Sequence, residues 1–176
     1  AFNIAASALF LIALGLLYGL LGTLNMAEMA LRVAQAPPQD LVLVQSAAGL
    51  LVVVFCAKAA LLPMYFWLPQ TYTHAPAAVA ALFAVMTKVG LYAVLRVAML
   101  SFGAAGALEG FAWPALLALG GVTLTLAALG VLASRQLRSL AAYLVLGSAA
   151  TLFLAFALST TGTIAAGLYY LVHSTF

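Results

Sequence analysis

Only nine of the 176 residues carry a formal charge, and between them run long uncharged stretches at 1–27, 41–57, 59–87, 110–134 and 139–176. Several exceed the roughly 20 apolar residues that cross a hydrocarbon core of about 30 Å. Such segments must satisfy every backbone N–H and C=O internally, which leaves helices or a closed barrel. Barrel strands would read as alternating segments of about ten residues, whereas these runs are continuously apolar. The sequence therefore predicts an all-α integral membrane chain, a polytopic helix bundle of about five to six transmembrane helices. Its 68% hydrophobic and 5% charged composition, with mean hydropathy +1.25, excludes an ordinary water-soluble domain.

Glycine, proline and charge as punctuation place spans near 3–24, 41–69, 76–100, 112–133, 140–160 and 163–176, with the second broken near 58–63. All belong to a single transmembrane domain. Because the chain opens and stops within apolar runs, it is expected to be part of a longer protein, incomplete at both ends. Between the first two spans, "NMAEMALRVAQAPPQD" sets Met26, Met29, Ala30 and Val33 at helical spacing around Glu28 and Arg32, as a short interfacial amphipathic helix or an ordinary connecting one. Alternation of the spans puts the turn at 70–75 and the loop at 134–139 on one side, and the loops at 25–40 and 101–111 on the other. Arg135 and Arg138, in a short loop without acids, predict that 134–139 is cytoplasmic in a multi-pass cell-membrane protein.

No cofactor is expected. Cys56 stands alone, so neither a disulfide nor a cluster can form. A membrane haem needs paired axial ligands, and the two histidines fall at different depths. No metal set is legible, and a scattered net charge of +3 gives no nucleic-acid footprint.

Lys58 and Lys88 are the anomaly, since seven of the nine charges fall in loops or at span ends whereas these two fall near half depth. A lysine at the centre of a membrane helix costs about 2.5–3.5 kcal/mol on the milder scale, so both are expected to face the bundle interior. Desolvation favours the neutral amine and a nearby carboxylate favours the ammonium, which suits a proton relay; packing ion pairs are the alternative. Pro63, five residues after Lys58, is expected to break the helix beside the amine. Pro69 and Pro76 are expected to bound the turn "QTYTHA". There His74 is a candidate for proton intake, while Tyr65, Trp67 and Tyr72 read most simply as interfacial anchors. His173 in "YYLVHSTF", beside Ser174 and Thr175, is the third candidate relay group.

With these residues in view, "KAALLPMYFWLPQTYTHAPAAVAALFAVMTKVGLYAVLR", residues 58–96, resembles the antiporter-like membrane subunits shared by proton-translocating NADH:quinone oxidoreductase and Mrp-type multisubunit antiporters. The likeness lies in the order lysine, proline, Trp-Leu-Pro, Ala-Pro and a second lysine followed by Gly, Tyr and Arg. It continues more weakly through "SRQLRSLAAYLVLGS" to "YYLVHSTF". "PMYFWLP", "TKVGLYAVLR" and "YYLVHSTF" stand nearest the D-type subunits of the Mrp Na+/H+ antiporters. The resemblance implies an antiporter-like fold with a discontinuous helix, and proton transfer through Lys58, Lys88 and His173. It also implies a glutamate partner for Lys58 on an earlier helix, before Ala1. Tyr65 stands where the oxidoreductase subunits usually carry histidine and remains a candidate for proton intake. Gln70 replaces their aspartate, removing an ionisable group at that turn.

The leading expectation is a proton-translocating subunit of a multisubunit monovalent cation (Na+)/H+ antiporter. Its partners are then other membrane subunits, the lipid bilayer, protons and Na+. One alternative is a proton-pumping subunit of an NADH:quinone oxidoreductase, which would make the chain part of an enzyme. A structural assembly subunit is the other.

Overall fold

A computed structural model describes residues 2–62, 64–97 and 112–175. The described residues are helical with no strand, in the order α1 Phe2–Leu21, α2 Met26–Ala34, α3 Leu41–Lys58, α4 Trp67–His74, α5 Ala77–Arg96, α6 Ala112–Ala133, α7 Leu137–Ala157 and α8 Thr161–His173. Five of these, α1, α3, α5, α6 and α7, are long and apolar enough to cross a membrane. The thirteen residues of α8 rise only about 20 Å, short of a full hydrocarbon core. Pro63 lies outside the described residues, as does the loop expected over 101–111 with Glu109.

Two compact units emerge, Ala1–Phe55 with Tyr92–Ala112 and Cys56–Leu91 with Trp113–Phe176. In the first, Ala13, Leu17 and Leu21 of α1 and Val44, Ala47, Ala48 and Leu51 of α3 enclose Met29 and Val33 of α2. Phe10 and Phe55 meet edge to face at 5.9 Å. Of the four apolar positions read on α2, Met29 and Val33 are buried but Met26 is exposed, because it opens the helix. Asn25 caps α2 by accepting from the Ala27 amide at 3.1 Å. Arg32 pairs with Glu28 at 2.6 Å and donates through Nη1 to the Leu21 carbonyl at 2.7 Å, satisfying the end of α1. The Thr23 hydroxyl, at 2.8 Å, and then the Arg32 guanidinium hold the Glu28 carboxyl below its usual range.

The second unit is built on close helix approach. Gly120, Thr123, Ala127 and Gly130 form a stripe of small residues along α6. A Cβ at Gly120 would stand 2.9 Å from the Phe153 ring, and one at Gly130 would strike Tyr143, so aromatic side chains of α7 occupy the space the glycines leave. In lipid, where apolar side chains gain nothing by leaving hydrocarbon, such packing is what holds helices together. A turn through Ser159 at φ +49° joins α7 to α8. Thr160 and Thr163 then cap α8 reciprocally, each side chain accepting from the other's amide at 3.2 and 3.1 Å.

Candidate functional site

The helix stop beside Lys58 is specified by backbone geometry. Ala60 adopts φ +56°, its amide donates to Ala57 O at 3.3 Å, and the Leu61 amide reaches back to Cys56 O at 2.9 Å. This is the paired-bond ending in which the left-handed position is ordinarily glycine. Alanine there costs on the order of 1 kcal/mol, so the stop is held by its surroundings as well. The Trp67 indole donates to the same Ala57 carbonyl at 3.0 Å and packs edge to face on Phe83 at 6.1 Å. From α6, the buried Thr123 hydroxyl accepts from the Leu62 amide at 3.1 Å and donates to Leu119 O at 2.6 Å. The break is thus hydrogen-bonded to α4 and α6, as buried irregular backbone requires.

Two expectations are corrected here. Residues 67–74 are helical, so the turn expected over 70–75 is confined to Ala75 and Pro76. Pro69 does not end a span; it sits in the first turn of α4, where its missing N–H has no helical partner to lose. Trp67 and Tyr72, read as interfacial anchors, instead face the protein: Trp67 latches the break, and Tyr72 is buried in a cluster with Ala60, Leu68 and Leu146.

Lys58 closes α3 and is half buried. Its carbonyl carbon and the Ala59 amide nitrogen lie 3.5 and 3.3 Å from where a Cβ of Gly90 would be. Gly90 therefore lets α5 dock directly on the break, two residues beyond Lys88. The sequence placed both lysines at one depth; the close approach brings their backbones into one locality.

Lys88 is 4% exposed. Its Nζ donates to Ser148 Oγ on α7 at 3.0 Å and to the hydroxyl of Ser174, just past α8, with the Ser174 carbonyl at 3.5 Å. The Tyr170 ring stands 5.7 Å from the ammonium, and its hydroxyl donates to Ser148 Oγ at 3.2 Å. Among the described residues the contacts to this amine are neutral: two hydroxyls, one carbonyl and an aromatic face. Hydrogen bonds to a charged group contribute about 1.5–3 kcal/mol each and a desolvated cation–π contact about 2 kcal/mol. Together they offset an intramembrane cost of a few kcal/mol without fixing the charge as a carboxylate would. Serine hydroxyls both donate and accept, so the same cage serves the ammonium and the neutral amine.

The other candidates lie apart from this cage. His173 is exposed and stacks on Tyr169 at 6.3 Å, while the next residue, Ser174, turns inward to Lys88. His74 is exposed at the end of α4, with Nδ1 2.9 Å from Gln70 O. Tyr65 is half buried against the cluster around Leu68. Arg138 reaches the Thr73 carbonyl at 3.5 Å, which puts the C-terminal end of α4 beside the 134–136 loop. Among the described residues no group of three His, Cys, Asp or Glu side chains is placed to hold a metal. Ser148 and Tyr170 were missed by sequence reasoning; a polar residue on an apolar span, as Ser148 is on α7, was the available signal.

Helices of this length and polarity, one interrupted beside a lysine and another carrying a buried lysine in a hydroxyl cage, define a multi-span membrane protein with an ionisable interior. The chain belongs to the family described as NADH:quinone oxidoreductase/Mrp antiporter, transmembrane, whose profile matches residues 1–176. It is 47% identical over 176 residues to the D-type subunit of a probable K+/H+ antiporter of Rhizobium meliloti (strain 1021), covering 99% of this chain and 33% of that protein. It is 37% identical over 173 residues to the D-type subunit of a Na+/H+ antiporter of Bacillus subtilis (strain 168), covering 98% and 34%. A chain of the Mrp complex from Dietzia sp. DQ12-45-1b superposes with TM-score 0.86 at 27% identity, over 99% of this chain and 31% of that one. A chain of the membrane-bound sulfane sulfur reductase, an archaeal respiratory membrane complex, gives 0.84 at 27%, over 99% and 35%. The chain thus spans about a third of the length of these relatives.

Proposed function

We propose that this chain is the proton-relaying part of a subunit of a multisubunit monovalent cation/proton antiporter. The observation that carries the reading is Lys88, buried among the helices on oxygen partners that accept either protonation state. Lys58 at the helix break is the neighbouring station, and Gly90 sets the spacing between them. His173 is the outward connection, facing away from the Lys88 cage toward whatever covers α8 in the assembled protein. Relatives named for K+/H+ and for Na+/H+ exchange support an alkali cation as the exchanged ion, with Na+ as our expectation. Other membrane subunits are its partners and the cell membrane its location. The loop at 134–136 and the first turn of α7, with exposed Arg135 and Arg138, face the cytoplasm in this reading.

A second reading has support in the likeness to a chain of a respiratory complex: the same relay driven by a redox reaction in other subunits. Peripheral flavin and iron–sulfur subunits in the purified complex would favour it; their absence favours the antiporter. The relay itself is tested in full-length, assembled complex reconstituted into vesicles. Lys58→Ala and Lys88→Ala are expected to abolish cation-dependent proton exchange while the complex assembles. Exchange at the wild-type rate by both variants would overturn the relay, and loss of complex in place of exchange would assign the lysines to assembly.

A further inference from the structure

The chain encloses a cavity of about 270 Å³ where α1 passes through α2 into α3, and its lining includes Leu20 and Leu21 of α1, Arg32 and Gln35 at the end of α2, and Asp40 and Val44 at the start of α3. Both α1 and α3 are long and apolar enough to cross a bilayer. Consecutive spans leave and re-enter on the same side, so their joined ends, and the cavity with them, lie at headgroup level. The Asp40 backbone is fixed, its amide donating to Pro37 O and its carbonyl accepting from the Val44 amide, both at 2.9 Å. Its side chain is half buried in the cavity wall, and the carboxylate has no hydrogen-bond or ionic partner among the described residues. Arg32 is only partly engaged: Nε and Nη2 donate to Glu28 at 3.0 and 2.6 Å, and Nη1 donates to Leu21 O at 2.7 Å. A guanidinium has five N–H groups, so two remain to be given. Because Glu28 neutralises Arg32, the cavity carries the net negative charge of Asp40 while still presenting two donors.

These features select a ligand. A free carboxylate calls for a cation, but a lone metal ion would leave most of the space unfilled, since even a water takes only about 30 Å³. A quaternary ammonium has no N–H for the carboxylate and is ordinarily held by aromatic faces, which this lining lacks. A primary ammonium donates three hydrogen bonds, and the two spare Arg32 donors suit a phosphate beside it. We propose that the cavity binds the headgroup of a zwitterionic phospholipid of the phosphatidylethanolamine kind, with its ammonium on Asp40 and its phosphate on Arg32. Leu24, Val42 and Leu43, exposed around the same helix ends, offer apolar surface to the acyl chains. The bound lipid ties α2 to both spans. This site is separate from the Lys88 cage and does not depend on the relay.

The test uses the purified full-length complex in nanodiscs of defined lipid and reads hydrogen–deuterium exchange of the amides in α2 and the 35–40 turn. Replacing half of a phosphatidylcholine bilayer by phosphatidylethanolamine is expected to slow exchange there by roughly fivefold, as for a ligand at about four times its dissociation constant. N-methylated and N,N-dimethylated phosphatidylethanolamine, with fewer N–H donors, are expected to give intermediate slowing, and phosphatidylglycerol none. Asp40→Asn, which keeps the shape and removes the charge, is expected to erase the difference between phosphatidylethanolamine and phosphatidylcholine. Equal protection by those two lipids, protection by phosphatidylglycerol as strong as by phosphatidylethanolamine, or a preference that survives Asp40→Asn would each overturn the proposal. Slowing spread evenly over all the helices would mark a general bilayer effect and overturn it as well. Free O-phosphoethanolamine that protects a phosphatidylcholine sample as well as the lipid does would overturn the lipid as the source of the headgroup. Should Asp40→Asn fail to assemble, the methylation series on the wild-type complex decides the outcome.

Discussion

Replacing Gly90 with alanine should separate stability from transport. The added Cβ would stand 3.3 Å from the Ala59 amide nitrogen, 3.5 Å from the Lys58 carbonyl carbon and 3.6 Å from Ala59 Cα. All three are backbone atoms of the helix break, so none can swing aside as a side-chain tip would. Relief comes from parting α5 and the break by a few tenths of an ångström. Alanine gains about 1 kcal/mol over glycine within a helix. Overpacking costs about 1–3 kcal/mol. The net loss of stability should therefore fall between about 0 and 2 kcal/mol, small enough for the complex to assemble. Transport is more sensitive, since a misplacement of about 1 Å can cost a hundredfold in rate; a few tenths should slow exchange by roughly two- to tenfold. Gly121→Ala on α6, where nothing lies within 4 Å of the new Cβ, is the matched control. Thermal unfolding of the purified complex and dye-reported proton exchange in vesicles measure the two effects. If Gly90→Ala exchanges protons as fast as Gly121→Ala, docking of α5 on the break does not set the relay geometry.

Three further outcomes follow from the same geometry. Ala60→Gly removes a left-handed alanine and should raise stability by about 1 kcal/mol, read as a higher melting temperature; a lower one would mean that the Ala60 methyl contributes packing that outweighs its strain. Ser148→Ala takes one oxygen from the Lys88 ammonium and should cost about 1–3 kcal/mol in stability while slowing exchange, whereas Ser148→Thr should retain more of both; equal behaviour of the two variants would deny the hydroxyl a role. The lowered Glu28 carboxyl gives a signed pH dependence. Its stabilisation is fully present above the ordinary value of 4.5 and is lost as pH falls through the lower folded value, so the protection of α2 amides, with exchange rates corrected for their intrinsic pH dependence, should be flat above about pH 5 and fall only in strong acid. A loss of protection that began near neutrality would contradict the Thr23–Glu28–Arg32 arrangement.

The membrane class and the two interior lysines were legible because each rests on a property of local sequence: uncharged length, and charge where none should be. The details of the break were not. An alanine at a left-handed helix ending carries none of the signature that glycine gives, so the stop was read from Pro63 instead of from Ala60. Pro69 reads in sequence as a terminator, although a proline begins a helix as readily as it follows one. The Lys88 cage was invisible for a different reason, since its oxygens come from Ser148 and Ser174, 60 and 86 residues along the chain. His173 missed the cage by one position. Successive helical residues point about 100° apart, so choosing between His173 and Ser174 required the rotation of α8, which depends on packing at Gly167 and Phe156.

Where α3 stops also bears on its terminal lysine. The peptide dipoles of eighteen residues, Leu41–Lys58, end with their negative pole at Lys58, and a helix end is equivalent to roughly half an elementary negative charge. An uninterrupted helix would have carried that pole onward past Lys58. Interrupting the helix leaves it against the packed residues of α4, α5 and α6, beside an amine, where electrostatic interactions are stronger than in water. Lys58 therefore carries a fractional counterion of its own, made of backbone, which no protonation event can remove.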